Sequence, residues 1–357
     1  MARAARDLGF EVHVATRVVA GGDAIRAEGF VLHEVPFARG RLSPLAALKA
    51  VRAIHQIHRE VKPAISHHVA LQASVLASLA ALGRDVVCLN ALTGFGYAFT
   101  SDDPKARLIR PVLARLLKIL LVHGENVALV QNPDDFATLI GLGIPAERVR
   151  TIAGSGVDLE RFAPSAEPAE PIVIGFAGRL LRDKGVHTLV AAHQSARHQL
   201  LSLRLEIAGE PDGANPTSIA PEVLDKWRRL PGVSLRGQVA DIAQFWRGVH
   251  IAVLPSRREG LPKSMIEAAA CGRPMIAADV PGCREVVVHD VTGIVVPADD
   301  VAALAVAIRW LSESRELRKQ YGIAARELAV RKFGAPAIAK QVGALYQHLS
   351  KIRDARH

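Results

Sequence analysis

The stretch from Ile251 to Gly282 reads IAVLPSRREGLPKSMIEAAACGRPMIAADVPG. Its first four residues form a short apolar run that ends at Pro255, which is the pattern of a strand buried on both faces. Pro262 stands where a helix can begin, because its missing N–H would have no partner in the first turn. Gly272 is placed to end that helix, and a second apolar run follows from Met275 to Ala278. Strand, helix and strand in about 30 residues predict a βαβ unit and therefore a parallel sheet.

Two carboxylates bracket the start of this predicted helix. Glu259 lies in the loop and Glu267 lies one turn inside the helix, which separates them by roughly 10 Å. Between them is a helix N-terminus, whose free N–H groups and positive dipole end favour an anion. A nucleotide-sugar has a matching layout, with a diphosphate between two hydroxyl-rich rings that can donate to carboxylates. The alternative is that both glutamates are ordinary capping or surface residues.

The alternation of strands and helices continues on both sides of this unit. Strand patterns at Glu11–Thr16 and Ile172–Ala177, with helical spacing at Leu45–Val61, predict an α/β fold of doubly wound sheets. The segment Ala163–Pro171, APSAEPAEP, has no apolar periodicity and is the best linker in the chain. We therefore expect a first domain over residues 1–165 and a second over 172–333. We expect residues 334–357 to form a helix that packs back on the first domain.

Composition bounds the class of protein. Half of the 357 residues are hydrophobic and 22% are charged, which favours a large core over disorder. The three cysteines, Cys88, Cys271 and Cys283, have neither disulfide-framework nor zinc-ligand spacing, which favours a reducing cytoplasm. The first residues lack the apolar segment of a signal peptide. A net charge of +10 favours an anionic partner, such as a phosphate-bearing ligand or an anionic lipid surface.

A basic segment runs from Asp102 to Val122, and from Pro104 to His123 it contains no acidic residue. On a helical wheel its cations cluster opposite most of its apolar residues, except that one of them, Lys105, lies off the basic face. The cations are Lys105, Arg107, Arg110, Arg115 and Lys118. Such a helix fits an anionic membrane surface, and the alternative is a solvated face on a packed helix that Pro111 kinks.

His67 and His68 end a predicted strand of the first domain. Ligands of doubly wound sheets bind at the carboxyl ends of strands. The two histidines are therefore candidates for catalytic groups or for the binding site of an acceptor substrate. They could equally be loop residues that bond to the backbone.

The sequence as a whole resembles the retaining glycosyltransferases of the GT-B type, in family 4. Five segments carry the resemblance: AGRLLRDKG, IAGEPDG, VSLRGQVADI, PSRREGLPKSMIEAAACGRPMIAADVPGCREVV and TGIVVPADD. The order and spacing of these segments together are far more specific than any one of them. The resemblance implies a GT-B fold, in which two Rossmann-like domains face a cleft.

The resemblance also implies roles for individual residues. Arg179 and Lys184 would grip the donor diphosphate, and Glu259 would face the donor sugar; these three are the predicted catalytic residues. Glu267 would bind the ribose. The remaining donor-binding residues it implies are Gly178, Gln238, Val239, Gly260 and Leu261.

Two residues depart from the family pattern. Many members carry a histidine before the glycine of the acceptor loop, whereas this chain has Thr93 before Gly94. That loop resembles a branch that acts on lipid-diphosphate-linked sugars, so Thr93 and Gly94 join the acceptor-side candidates. Pro262 replaces a small residue and removes one N–H donor.

The function implied is transfer of a sugar, with retention and without a metal or other cofactor, from a nucleotide-sugar, expected to be a UDP-sugar. The transferred sugar would be a hexose or an N-acetylhexosamine. The acceptor would be a glycan or a polyprenyl-diphosphate-linked sugar, in the synthesis of cell-surface polysaccharide or glycoconjugate. The protein is expected in the cytoplasm, peripheral on the inner face of the plasma membrane. The alternatives are a sugar-nucleotide epimerase or hydrolase of the same fold, or an inactive truncated homologue. A nucleic-acid partner is not expected, because only 4% of the residues are aromatic and no reader motif is present.

The first residues, MARAARDLGFEVHVAT, match the end of a helix followed by a second strand. Doubly wound domains begin with a central strand, so we expect the first domain to lack its first strand. The unpaired backbone groups beside it would make that domain aggregation-prone or inactive as written.

Overall fold

The computed structural model of the chain describes residues 1–19, 21–37, 43–95, 99 and 104–355, and side chains in its helix 104–122 from residue 107 onward. The chain divides into two compact units. The first consists of Met1–Ser155 with Ile338–His357, and the second of Gly156–Ala337.

The second unit contains one six-stranded parallel sheet. Its strands are β7 (Val173–Ala177), β8 (Arg204–Ala208), β9 (Val233–Gly237), β10 (Ile251–Leu254), β11 (Met275–Ala278) and β12 (Gly293–Val296). Across the sheet they lie in the order β12-β11-β10-β7-β8-β9. Read from the other edge, this is the strand order of a doubly wound dinucleotide-binding fold, which reverses its direction of growth between β7 and β10. The Rossmann-like prediction for this unit is therefore confirmed.

Helices surround this sheet. They are α7 (Val186–Arg197), α8 (Pro221–Arg228), α9 (Ile242–Arg247), α10 (Lys263–Ala270), α11 (Pro281–Arg284), α12 (Val301–Glu313) and α13 (Arg315–Leu328), with short turns at Arg182–Lys184 and Ala329–Phe333. Because β10 and β11 are covered on both faces, all of their residues are buried. This explains why they read as continuous apolar runs rather than as alternating ones.

The first unit carries two parallel sheets. In one, β1 (His13–Thr16) pairs with β2 (Val31–Glu34), and in the other the order is β3-β4-β5-β6. The second sheet consists of β3 (Ile65–Val69), β4 (Val87–Ala91), β5 (Val127–Val130) and β6 (Val149–Thr151). Within the described residues, neither β1 nor β3 pairs with a further strand on its other edge.

The helices of the first unit are α1 (Ala2–Asp7), α2 (Gly22–Ala27), α3 (Pro44–Val61), α4 (Leu71–Ala80), α5 (Pro104–Val122), α6 (Pro133–Gly141) and α14 (Ala335–Asp354), with one short turn at Ala146–Arg148. From Ile338 onward, α14 belongs to this unit. Its residues Ile338, Val342 and Leu349 pack in one core with Leu89 and Leu129 of the sheet. No helix among the described residues is long and apolar enough to span a bilayer.

The division between the units falls at Ser155/Gly156, seven residues before the linker predicted from composition. The predicted linker is instead fastened to the second unit. Arg273, which is 2% exposed, donates to the carbonyl oxygens of Ser165 and Ala166 at 3.3 Å. Nε2 of His250 lies 3.1 Å from the carbonyl oxygen of Pro168. The buried Arg273 cation and the His250 ring thus hold a segment whose composition resembles a free linker, because both need acceptors.

A chain of buried polar side chains crosses the first unit beside β3. Nε2 of His58 lies 3.0 Å from Oγ of Ser66, which lies 2.8 Å from Nε2 of His68. Nδ1 of His68 lies 2.8 Å from Oδ1 of Asn90. Since that amide oxygen can only accept, His68 donates through Nδ1 and accepts the Ser66 hydroxyl proton at Nε2. This assignment satisfies both ring nitrogens of His68 in the neutral form, whereas Nδ1 of His58 has no hydrogen-bond partner among the described residues.

Burial keeps these rings uncharged. It lowers the pKa of His58, His67 and His68 to about 4 in each case. The ordinary histidine pKa is near 6.5. Between about pH 6.5 and pH 4 these histidines are therefore protonated in the unfolded chain and neutral in the folded unit.

We predict that the first unit loses stability as the pH falls from about 6.5 to about 4, because the unfolded state binds more protons throughout that window. Each histidine contributes at most about 3 kcal/mol to the loss. Asp135 opposes it, because burial raises its pKa to about 6. Urea unfolding followed by circular dichroism at pH 7.5 and pH 5 measures the effect.

The control compares two single variants. His58→Gln should reduce the difference between the two pH values, whereas His348→Gln, at an exposed position, should leave it unchanged. An unfolding free energy that is the same at both pH values would contradict the prediction.

Candidate active site

The charged residues predicted for the donor site lie where the strand order of the second unit reverses. Arg179 and Lys184 follow β7, and Glu259 follows the neighbouring strand β10. In open parallel sheets the loops after two strands at such a point diverge and leave a crevice at the carboxyl edge. The topology therefore brings together loops that lie about 75 residues apart in the sequence.

Lys184 and Glu259 form the most enclosed ion pair of this edge. The Nζ atom of Lys184 lies 2.6 Å from Oε1 of Glu259, and the Glu259 side chain is only 9% exposed. The hydroxyl of Ser256 donates to the same oxygen at 2.7 Å. A carboxylate this buried needs such partners to stay charged.

Arg179 is held less tightly. Its Nη1 lies 2.9 Å from Oδ2 of Asp212, and 60% of the Arg179 side chain is exposed. Gly178, just before it, donates its backbone N–H to Ala208 of β8 at 3.0 Å. The guanidinium therefore projects from an anchored backbone with room to meet a ligand.

Two glycines let these loops come together. Gly185 has φ +68°, and a Cβ atom there would lie 1.9 Å from the carbonyl oxygen of Pro255. At Gly282 a Cβ atom would lie 2.4 Å from the carbonyl oxygen of Gly260. A side chain at Gly185 would push the loop of Lys184 away from Pro255, and one at Gly282 would push the start of α11 away from the loop of Glu259.

Helix α10 begins directly behind Glu259. Pro262 is its N-cap residue rather than its first helical residue, one position from the prediction. No side chain among the described residues caps this N-terminus, so its first N–H groups can meet an anion. Gly260 and Leu261, whose N–H groups are predicted donors, are partly exposed just before it.

Glu267 lies on the first turns of α10 and is 8% exposed. Burial raises the pKa of this carboxyl group, and Lys263, 3.7 Å away, opposes the rise. The surface-residue alternative for Glu267 is therefore wrong: its carboxylate lies inside the domain. Gln238 and Val239 follow β9 and are exposed and partly exposed respectively.

Four further residues hold the predicted ones in place and were missed by sequence reasoning: Asp183, Asp212, Ser256 and Arg258. Arg258 donates to the carboxylate of Asp183, and the carbonyl of Asp183 accepts the Arg257 N–H at 2.9 Å. All four lie inside the segments that carry the family resemblance. Their position in those segments was the available signal.

The acceptor-side candidates lie in the first unit. His68 is 5% exposed and both of its ring nitrogens have partners inside the domain, so it has none to offer an acceptor. His67 contacts the Tyr346 hydroxyl at 2.7 Å. Thr93 is exposed at the carboxyl end of β4, followed by Gly94 with φ +117°. The rest of the predicted acceptor loop, at 96–98 and 100, lies outside the described residues, as does the side chain of Lys105.

Comparison with known families identifies the class. The family described as Glycosyl transferases group 1 matches residues 171–314, and the family Glycosyl transferase 4-like matches residues 1–131. The chain matches both glycosyltransferase families over these ranges and has the GT-B fold.

Named relatives extend over most of the chain. The capsular polysaccharide biosynthesis glycosyltransferase CapM of Staphylococcus aureus is 25% identical, over 73% of this chain and 79% of CapM. N,N'-diacetylbacillosaminyl-diphospho-undecaprenol alpha-1,3-N-acetylgalactosaminyltransferase of Campylobacter jejuni is 26% identical, over 88% of this chain and 85% of that enzyme.

Solved structures show the same fold. Sucrose-phosphate synthase of Thermosynechococcus elongatus has a TM-score of 0.84 and 24% identity, covering 98% of this chain and 91% of that one. Anabaena HepE in complex with UDP and glucose has a TM-score of 0.77 and 19% identity, covering 97% and 94%.

We predict that the two ion pairs differ in their contribution to stability. Lys184→Met leaves a nearly buried carboxylate without a cation and should lower the free energy of unfolding of the second unit by about 3 kcal/mol. Arg179→Met breaks an exposed pair and should change it by less than about 1 kcal/mol. Urea unfolding of both variants measures the difference.

The double variant Lys184→Met/Glu259→Gln is the control, because it removes the uncompensated charge along with its partner. It should recover most of the stability lost in Lys184→Met. Equal losses in Lys184→Met and Arg179→Met would contradict the assignment.

Proposed function

We propose that this protein is a retaining glycosyltransferase that moves a sugar from a nucleotide-sugar, a UDP-sugar in the first instance, to a glycan carried on a polyprenyl diphosphate. The observation that carries the proposal is the arrangement at the carboxyl edge of the second unit. There the Lys184–Glu259 pair and the buried Glu267 flank the uncapped N-terminus of α10. This arrangement offers donors to a diphosphate and acceptors to the hydroxyl groups of the sugars at both of its ends.

Each residue has a part in the proposed reaction. Arg179 and Lys184 neutralise the charge that grows on the diphosphate as the bond to the sugar breaks, so no metal is needed for this step. Glu259 accepts from hydroxyl groups of the donor sugar, and Ser256 keeps it oriented. Glu267 accepts from the ribose hydroxyl groups, while backbone groups at Gln238 and Val239 hold the base.

Proton transfer in this proposal does not require a side-chain base. An oxygen of the departing diphosphate takes the proton of the acceptor hydroxyl on the face from which it leaves, and the new bond forms on that same face. The configuration at the anomeric carbon is then retained. This fits a site in which Arg179 and Lys184 are cations held in ion pairs with Asp212 and Glu259.

Relatives support the choice of donor and acceptor class. HepE was solved with UDP-glucose as well as with UDP and glucose, which supports a UDP-sugar as donor here. The Campylobacter jejuni relative, named for a diphospho-undecaprenol acceptor, and the capsular CapM support a lipid-linked glycan in cell-surface polysaccharide synthesis. We place the reaction at the cytoplasmic face of the membrane that holds such a lipid.

The second candidate is an epimerase or hydrolase acting on the same nucleotide-sugar. It shares the donor site and differs only in the absence of an acceptor. Incubation with UDP-sugar alone separates the two, because the rival releases free sugar or an epimer and a transferase requires the lipid-linked acceptor.

We predict that Arg179→Ala and Lys184→Ala each lower turnover by at least about 100-fold, the scale for losing one preorganised charge-stabilising group. The measurement is transfer of labelled sugar from a UDP-sugar to a polyprenyl-diphosphate-linked glycan, with the product anomer read by NMR. Arg229→Ala removes an exposed cation of the same unit and should leave turnover unchanged. Wild-type rates in both site variants, or an inverted product, would refute the proposal.

We predict that the correct nucleotide-sugar raises the melting temperature of the second unit by roughly 5 to 10 °C at 100 times its Kd. A screen of UDP-, GDP- and ADP-sugars identifies it. Glu267→Gln should abolish most of the shift, because the buried carboxylate is the proposed ribose acceptor. Glu327→Gln, at an outer position on α13, serves as the matched control. If the melting temperature of Glu267→Gln rises as much as that of the wild type, Glu267 does not bind the nucleotide-sugar.

A further inference from the structure

The exposed side of α5 carries large apolar side chains. Leu108 is 78% exposed, Val112 70%, Ile109 55% and Ile119 54%. Three leucines on the other side of the helix, Leu117, Leu120 and Leu121, are buried in the core of the first unit. The helix continues through Pro111, so all of these residues belong to one element.

The buried leucines therefore lie toward one side of the apolar face of α5 and not at its centre. Successive residues of a helix are about 100° apart, which places Leu108, Ile119 and Val112 in one stripe that points away from the buried leucines. Ile109 lies at the border of this stripe, beside Leu120. The sequence predicts a basic face opposite most of the apolar residues, without stating which of them the core covers. In the structure the apolar face is turned partly toward solvent.

A basic stripe runs beside the apolar one. Arg107, Arg115 and Lys118 are exposed and, by the same spacing, adjoin Leu108 and Ile119. From Pro104 to Gly124 the chain contains no acidic residue. Neighbouring apolar and cationic stripes on the exposed half of one helix are the pattern of a helix that lies in a membrane interface.

Helix α3 repeats this combination at the same edge of the sheet. Leu45 and Leu48 are 74% and 44% exposed, and Lys49 and Arg52 beside them are exposed. Helices α3 and α5 both contact α4. Each leads into a strand of the same parallel sheet, so both begin at its carboxyl edge.

We infer that the first half of α5, with the start of α3, is a docking surface for an anionic phospholipid bilayer. The apolar stripe enters the boundary between headgroups and acyl chains, and the cations contact the lipid phosphates. Charge complementarity favours this occupant over an uncharged apolar partner, because the basic stripe runs beside the exposed apolar stripe. This surface goes beyond the proposed reaction and does not depend on it, since docking requires neither donor nor acceptor.

The test is co-sedimentation of the full 357-residue chain with vesicles. One set is phosphatidylcholine alone, and the other contains about 30% phosphatidylglycerol, an anionic fraction that gives cations a negative surface to bind. We expect binding to the anionic vesicles only, weakened by high salt. Leu108→Gln/Val112→Gln should lower the partition coefficient by about tenfold or more, through loss of buried apolar area. Arg115→Glu/Lys118→Glu should lower it by at least about 30-fold, or about fivefold for each cation.

Two matched variants control for charge and for apolar content. Lys226→Glu/Arg229→Glu changes net charge by the same amount at exposed positions of the second unit, and Leu201→Gln/Ile323→Gln removes equally exposed apolar side chains. Both should bind vesicles as the wild type does. Circular dichroism confirms that all four variants are folded, as expected for substitutions at exposed positions.

Three outcomes would overturn the inference. The wild type could stay in solution with both vesicle types. The charge control could lose binding as fully as Arg115→Glu/Lys118→Glu, which would reduce the effect to net charge. Alternatively, gel filtration could show a dimer that Leu108→Gln/Val112→Gln dissociates, without vesicle binding, which would make a second copy of the chain the partner of this face.

Discussion

A parallel sheet can gather side chains for a ligand only at its carboxyl edge, and the second unit depends on this constraint. The reversal of strand order between β7 and β10 places the loop of Lys184 against the loop of Glu259. Their ion pair then gives a nearly buried carboxylate a cationic partner, and Gly185 permits the close approach. The same contact that stabilises the loops thus supplies the charges that a diphosphate would meet.

Much of the second unit could be predicted because its strands are buried on both faces and its motifs follow them directly. The partners of the site residues could not. Asp212 and Ser256 meet Arg179 and Glu259 only because separate loops converge, and no local pattern states which charge will face which. The predicted linker differs from the observed division for a related reason. The buried Arg273 needs acceptors, and the backbone of Ser165 supplies one, which fixes this segment to the second unit. Composition alone does not state such a contact.

Helix α5 and the histidines of β3 show that a sequence pattern does not state which side of an element faces the core. The spacing of α5 correctly predicts a helix with an apolar and a basic side, but not the rotation that decides which side the core covers. Leu108 and Leu117 are chemically identical, and only packing distinguishes the exposed one from the buried one. His68 likewise ends a strand, as a ligand-binding residue would, yet its neighbours turn its ring inward.

The placement of α14 has a consequence for the order in which the chain folds during synthesis. Residues Gly156–Ala337 are contiguous, so the second unit can complete its core as soon as they leave the ribosome. The first unit needs Ile338, Val342 and Leu349 to cover Leu89 and Leu129, and these leucines emerge long before that helix. At about 5 to 20 residues per second, that face of the sheet waits about 10 to 50 seconds for its cover. The domain whose synthesis begins first is therefore the last to be completed.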